Sequence, residues 1–383
     1  MVVKIHTSEI LVMFKKSLLS TALLAAFAAG SVHGATIGLT IDPNGLAAGG
    51  SGPQEVFNLG WAVGNAIAVP DAGNVPTSLQ PACGGYSGPN TVVFSGSGTP
   101  CGTFTTYAQA SLSTFGDADN NPVAFSGTGS GNGEWTFVTK LKEVLFPNGS
   151  TGSSLIVTSI EYFEIWYDPT PDKNDLTGTG FSNASTTTGA VTSNDDAVRI
   201  LFANTLVGDG QNNGVFNRDI DTTTGQAKPD VPLDSFNTNN YSGINSIQGN
   251  GSTTFRALVK STDYDHNFFL EDSDFEFAVD FSTANKTPFV QTNPASCFYD
   301  VTTGTWLGGA GNPTGSLGAG APVGFTGCGN TVGAVNGTSG PNVMSQTQAT
   351  SSFLASVPEP ATIALLGFGL VGAAVSRRTA KRK

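Results

Sequence analysis

Residues 274–281 alternate strictly, with Phe275, Phe277, Val279 and Phe281 at one set of positions and Asp274, Glu276 and Asp280 at the other. Successive side chains of a strand point to opposite faces, so this period of two predicts an antiparallel strand with one buried and one wet face. Longer β-branched and aromatic runs at 134–146 and 154–167, and shorter ones at 198–207 and 255–260, predict further strands. Within 154–167, unbroken alternation places Tyr162 and Trp166 beside Ile156 and Ile160 on one face, which predicts core packing for both aromatics. The same alternation sends Glu161 and Glu164 to opposite faces, where each is expected at an exposed edge rather than in a facing carboxylate pair. Clusters of Gly, Asn, Asp, Thr and Ser separate these runs and supply turns. Between the two ends of the chain no stretch carries a sustained helical period with caps. The expected fold is all-β, an antiparallel β-sandwich with long Gly/Asn/Thr-rich loops.

The ends break the pattern. In "MFKKSLLSTALLAAFAAGSVHG", Lys15 and Lys16 precede an apolar run at 17–29 and a small-residue exit at Val32, His33 and Gly34. These are the parts of an export leader, expected as a signal helix over 1–34 with cleavage between Gly34 and Ala35. The residues before Met13 carry Glu9 and an apolar patch that a leader does not need, so Met13 is the expected start. At the other end, 361–375 is apolar and uncharged, and Arg377, Arg378, Lys381, Arg382 and Lys383 follow. A spanning helix needs about 20 apolar residues, so this is a short transmembrane helix. Its basic tail, 377–383, stops transfer and stays on the cytoplasmic side of the inner membrane. Pro358, Glu359 and Pro360 stand at the outer edge of the run and cannot continue a helix, which leaves an extended polar segment open to a protease. The G-x-G-x-x-G at 367–372 has no preceding strand or βαβ unit, so a membrane helix rich in small residues explains it better than a dinucleotide site.

The run "VPEPATIALLGFGLVGAAVSRR" resembles the PEP-CTERM sorting signal of Gram-negative bacteria. The resemblance implies recognition by an exosortase, a membrane cysteine transpeptidase, at Pro358, Glu359 and Pro360, with loss of the segment 358–383. In the body, "YFEIWYDPTPD", "DDAVRILFANTLVGDG" and "FFLEDSDFEFAVDFSTANKTPFVQTNPASCFYD" resemble the flocculation-associated PEP-CTERM type, PepA. That resemblance implies a secreted or surface protein that helps cells aggregate in an exopolysaccharide matrix.

Charge narrows the partners. The whole chain stands at −12, while its leader and tail hold surpluses of two and four positive charges, so the body alone stands at −18. Nucleic acid, whose binding neutralises phosphates, is excluded as a natural partner, whereas divalent cations or a neutral polymer fit. Cys83, Cys101, Cys297 and Cys328 all lie in the exported part and lack zinc-site spacing, so they read as disulfides. Of the three connectivities that four cysteines allow, Cys83–Cys101 and Cys297–Cys328 each close a short Gly-rich loop. Past Trp306 the composition turns to Gly, Thr, Asn, Ser and Pro, which predicts a body over 35–328 and a flexible stalk over 329–357.

Candidates for chemistry are few. His266, the one histidine of the body, stands between acids but without a G-x-S-x-G elbow, so a solvated turn accounts for it better than a hydrolase triad. Asp117 opens an EF-hand-like run, but Pro122 occupies the glycine position and Thr128 that of the bidentate Glu. Asp168, Asp172 and Asp175, with Asp195 and Asp196 nearby, are the candidate hard-oxygen ligands for Ca²⁺. Among Trp61, Trp135, Trp166 and Trp306, the last sits beside a glycine-rich segment and is the one expected to be exposed to a sugar. The expectation is a non-enzymatic, exosortase-processed protein of the cell surface or extracellular matrix, without a required cofactor, acting in flocculation or biofilm formation. The alternatives are a calcium-assisted carbohydrate-binding module and, behind it, a secreted hydrolase.

Overall fold

A computed structural model describes residues 35–45, 52–71, 102–124, 133–148, 152–183, 185–186, 191–192, 196–208, 212–281, 285–311, 335–336 and 342–355. Among the described residues every element is a strand. The first seven are β1 (Leu39–Ile41), β2 (Gln54–Val56), β3 (Asn58–Trp61), β4 (Gly64–Pro70), β5 (Gly102–Gly116), β6 (Glu134–Asn148) and β7 (Gly152–Asp168). Next come β8 (Ser185–Thr186), β9 (Val191–Thr192), β10 (Val198–Ala203), β11 (Thr205–Val207), β12 (Asn213–Arg218), β13 (Val231–Pro232), β14 (Asn245–Ser246) and β15 (Gly249–Val259). The series ends with β16 (Phe275–Asp280), β17 (Asn285–Thr287), β18 (Cys297–Asp300), β19 (Thr305–Gly308), β20 (Val343–Thr347) and β21 (Thr350–Ala355).

The expected long runs are the antiparallel meander β5–β6–β7, and the alternating Phe-rich segment is β16, with burial alternating at every residue. The pairings define one 13-stranded main sheet rather than two separate ones. Following hydrogen-bonded neighbours from β5 through β6, β7, β12, β15, β16, β21 and β3 leads back to β5. A sheet that closes on itself leaves fewer unpaired edges and encloses its core. That core takes Trp61, Phe137, Phe163, Phe255, Phe277 and Phe353 from strands all around the circuit.

The opposite face of β4, β5 and β6 is covered too. Ile67, Tyr107 and Met344 meet Leu233, Tyr241, Phe289 and Phe298 in a second cluster, while Val138, Tyr162 and Trp166 meet Phe181 in a third. Buried amides fix this cover. Gln346 accepts the N–H groups of Val290 and Gln291, Asn65 accepts that of Ala295 and donates to Asn293, and Gln109 donates to Gly178.

Two bulges change the expected faces of β7. Lys140 pairs with Tyr162 and Leu141 with Ile160, skipping Glu161; Lys142 pairs with Ser159 and Glu143 with Val157, skipping Thr158. Each extra residue flips the side chains beyond it. Ile160 therefore joins Phe163 and Ile165 in the enclosed core, while Tyr162 and Trp166 are buried on the other face.

The stalk expected over 329–357 does not hold at 342–355. There β20 pairs with β4, and β21 lies between β3 and β16. Composition misleads because these strands bury polar side chains with partners. Ser351, fully buried, accepts the indole N–H of Trp61 at 2.8 Å, and Thr347 donates to Asn285 at 2.7 Å. One large apolar anchor suffices for β21: Phe353, fully buried, packs against Phe269, Phe275 and Phe277.

The chain forms two compact units, 36–354 and the two ends together. Within the first, Thr36 bridges Leu354 and Ile37 donates to the carbonyl of Phe353. Within the second, the described piece is the bond from the N–H of Ala355 to the carbonyl of Ala35. The signal helix and the sorting helix lie outside the described residues, and among those described no helix is long and apolar enough to cross a membrane.

Candidate functional site

Two regions bear on function: the approach to the C-terminal motif, and the polar groups gathered on the outer face of the sheet. At the first, the strand β21 is paired on both sides and runs to Ala355. Pro358, Glu359 and Pro360, the basic cluster Arg377, Arg378, Lys381, Arg382 and Lys383, and Gly34 lie outside the described residues.

The outer face holds a charged cluster that sequence reasoning missed. Lys140 of β6, buried, contacts Glu161 at 2.7 Å and Asp300 at 3.0 Å, and the hydroxyl of Tyr107 donates to the same Asp300 oxygen at 3.2 Å. Asp300 also accepts the N–H groups of Thr302 and Thr303, so it closes the β18–β19 turn while holding that hairpin to the sheet. Burial opposes the charge on Lys140 and Asp300. The bonds of Lys140 to Glu161 and Asp300 outweigh it and hold the ammonium above its ordinary value, and the Lys140 bond likewise holds the Asp300 carboxylate below its own. Burial and the Asp300 charge push the Tyr107 hydroxyl up to about 12. Lys142 continues the network to Asp71 at 3.0 Å. The only early signal was a lysine pair, Lys140 and Lys142, on one face of a strand otherwise rich in apolar residues.

The bulge at Glu161 turns its carboxylate toward Lys140, so neither it nor Glu164 is a free edge acid. Glu164 is buried and accepts from Arg199 at 2.7 Å and from the Trp166 indole at 3.0 Å; burial nevertheless raises its pKa. The two carboxylates thus serve separate ion pairs.

The candidate calcium ligands scatter. Asp168 is buried at the end of β7 and accepts the N–H of Thr170, Asp172 is exposed in the loop, and Asp175 pairs with Lys173 at 3.4 Å. Asp195 lies outside the described residues, and Asp196 accepts from Thr170. Among the described residues no three acids, histidines or cysteines gather as a metal would require. Asp117 spends its carboxylate on its own turn, accepting the N–H groups of Asp119 and Asn121, which holds it below the ordinary range.

His266 is exposed, and its ring nitrogens face the backbone carbonyls of Glu271 and Ser261 at 2.8 and 2.9 Å rather than a serine hydroxyl. Trp61, Trp135 and Trp166 are buried, and each indole N–H has an acceptor. Trp306 is half-buried opposite Tyr299 on the β18–β19 hairpin, with ring centroids 5.1 Å apart but planes inclined by 56°, so the pair forms no flat platform. Cys297 is fully buried and disulfide-bonded; Cys83, Cys101 and Cys328, and with them the pairing, lie outside the described residues.

Residues 356–378 match the PEP-CTERM protein-sorting motif. The chain is therefore an exported substrate of exosortase, directed through the membrane to the cell surface. No curated protein and no solved structure matches it significantly.

Proposed function

We propose that the processed protein acts without catalysis at the surface or in the extracellular matrix of a Gram-negative bacterium, promoting flocculation or biofilm formation through contacts with exopolysaccharide. The observation that carries this reading is the sorting motif at 356–378, which follows a body whose described residues are all-β. Two further features support it. The body's charge of −18 favours polar, neutral or cation-bridged partners over nucleic acid. Both ring nitrogens of His266, on an exposed loop, are taken up by the backbone carbonyls of Glu271 and Ser261 rather than by a serine hydroxyl, which is not the arrangement a hydrolase triad uses.

In this reading Pro358 and Pro360 keep the backbone extended for the processing enzyme, and the Glu359 carboxylate pairs with a basic group there. Glu359→Ala, or replacement of both prolines by Ala, should leave export and folding intact while full-length protein accumulates in the membrane fraction and cells settle more slowly. Fractionation beside a settling assay checks both halves. Normal release of the Glu359→Ala protein with its C-terminal segment removed refutes the processing role. Normal settling despite retention refutes the aggregation role alone.

A further inference from the structure

The two oxygens of the Asp300 carboxylate are held by different donors. Oδ1 accepts the backbone N–H groups of Thr302 and Thr303 at 3.0 and 3.4 Å, whereas Oδ2 accepts Lys140 Nζ at 3.0 Å and the Tyr107 hydroxyl at 3.2 Å. A second carboxylate serves the same amine, with Glu161 Oε2 2.7 Å from Nζ. Water has little access: the side chains of Lys140 and Asp300 are 10% and 7% exposed, and the Tyr107 ring lies 5.6 Å from Nζ. With a C–O bond of about 1.2 Å added to the 3.0 Å contact, Nζ stands within about 4 Å of Asp300 Cγ. Amine, carboxyl carbon and a second acid able to carry protons are thus gathered in one dry place.

We propose that Lys140 and Asp300 condense to an intramolecular isopeptide bond, with Glu161 carrying the protons, so that the β18–β19 hairpin becomes covalently tied to β6. The lysine rests as the ammonium. It gives one proton to Glu161, which passes it to Asp300 Oδ2, leaving an amine beside a carboxylic acid. Nζ then attacks Cγ, and the negative charge gathers on Oδ1, where the N–H groups of Thr302 and Thr303 already point. Glu161 takes a second proton from Nζ and delivers it to Oδ2; the Cγ–Oδ2 bond breaks, one water leaves, and Oδ1 returns to a carbonyl. Nothing is oxidised or reduced, and Glu161 ends as the carboxylate it began as. Holding the reactants in contact replaces a collision between separate molecules, and exclusion of solvent protects the amide from hydrolysis. Lys142 and Asp71 provide an internal contrast. They too are 3.0 Å apart, with Glu161 3.9 Å from the amine, but their side chains are 34% and 29% exposed, so this pair stays hydrated and non-covalent.

Peptide mapping tests this directly. Protein purified from cells expressing the full chain is reduced, alkylated and digested, and its peptides are read by mass spectrometry. The expected result is a branched peptide containing Lys140 and Asp300, lighter by one water than the sum of its two linear parts. It should be absent from Lys140→Arg, whose guanidinium keeps the charge but does not give up its proton. In Glu161→Gln, sampled at intervals after synthesis, the branched peptide should form about a hundredfold more slowly. Recovery of Lys140 and Asp300 from the wild type only in separate linear peptides of unaltered mass overturns the proposal. Bond formation at an undiminished rate in Glu161→Gln overturns the role given to Glu161. A second branched peptide joining Lys142 to Asp71 overturns the role given to burial. Should either variant fail to accumulate, the wild-type map alone decides whether the bond exists.

Discussion

A short local pattern recurs in this chain with the same result each time. Asp221-Thr-Thr-Thr-Gly225 and Asp300-Val-Thr-Thr-Gly304 both form a turn in which the aspartate carboxylate accepts the N–H groups two and three residues on. In both, the glycine takes a positive φ, 67° and 66°, and returns its N–H to the aspartate carbonyl. What surrounds the turn gives each aspartate a different duty. Asp221 is solvated, whereas Asp300 also holds Lys140. Glu134 shows the reverse case, a residue whose sequence says nothing of its environment. It begins β6 opposite Asp168, and burial, opposed by Lys173, raises its carboxyl from an ordinary 4.5 to about 7. The unfolded chain loses this proton from about pH 4.5 upward while the folded chain keeps it to about 7, so stability falls across that window and levels off above it. Burial acts in the same direction on Glu143, whose partner is Thr106. Glu134→Gln should leave stability near pH 4 unchanged and raise it at about pH 8 by about 1–2 kcal/mol, after allowance for partial exposure. Urea titrations at both pH values measure this, and an unchanged pH slope would refute the assignment.

Among the elements, the β18–β19 hairpin shows how a small piece is held to a large sheet. Its apolar side offers Phe298 and Leu307 to the second cluster, and its polar attachment is the Lys140–Asp300 pair. Removing one member of a buried pair leaves the other charge uncompensated, at a cost of about 3–5 kcal/mol, whereas replacing both by apolar residues of similar size is far less damaging. Lys140→Met should therefore destabilise strongly, and Lys140→Met with Asp300→Leu should recover part of the loss. Because Asp300 also closes its own turn, the recovery should be incomplete. Denaturation of the three variants measures the coupling, and additive losses in the double variant would show that the pair is not the link.

For the whole molecule, closure of the main sheet ties distant stretches of chain into one cooperative unit. β3 and β21 are neighbours although nearly the whole body separates them in sequence. A chain truncated after residue 341 should lack both β20 and β21, lose the partner of Trp61 and the Phe353 anchor, and fail to fold to a stable body. In the intact protein, probes at Trp61 and Trp166 should report the same transition in urea, as expected of one cooperative unit. Two separated transitions would show that the closed circuit is not a single folding unit.

The sequence by itself determined what depends on local chemistry. Alternation in 274–281 is enough to make β16, because a half-buried strand needs nothing but a period of two, and D-x-T-T-G is enough to make its turn. The sorting motif was equally legible, since Pro358, Glu359 and Pro360 are read as a linear segment. Only the tertiary structure decided the rest. A bulge at Glu161 cannot be seen from alternation, because the extra residue exists only relative to the opposing strand, yet it sends Tyr162 and Ile160 to different faces. Lys140 and Asp300 lie far apart in the chain, so no pattern in either neighbourhood names the other. The Gly/Thr/Asn/Ser-rich end looked too polar to order itself, and on its own it has too little apolar surface to do so. Phe353, Gln346 and Ser351 become a core residue and two satisfied buried polar groups once the partners supplied by β3, β16 and the covering segment surround them.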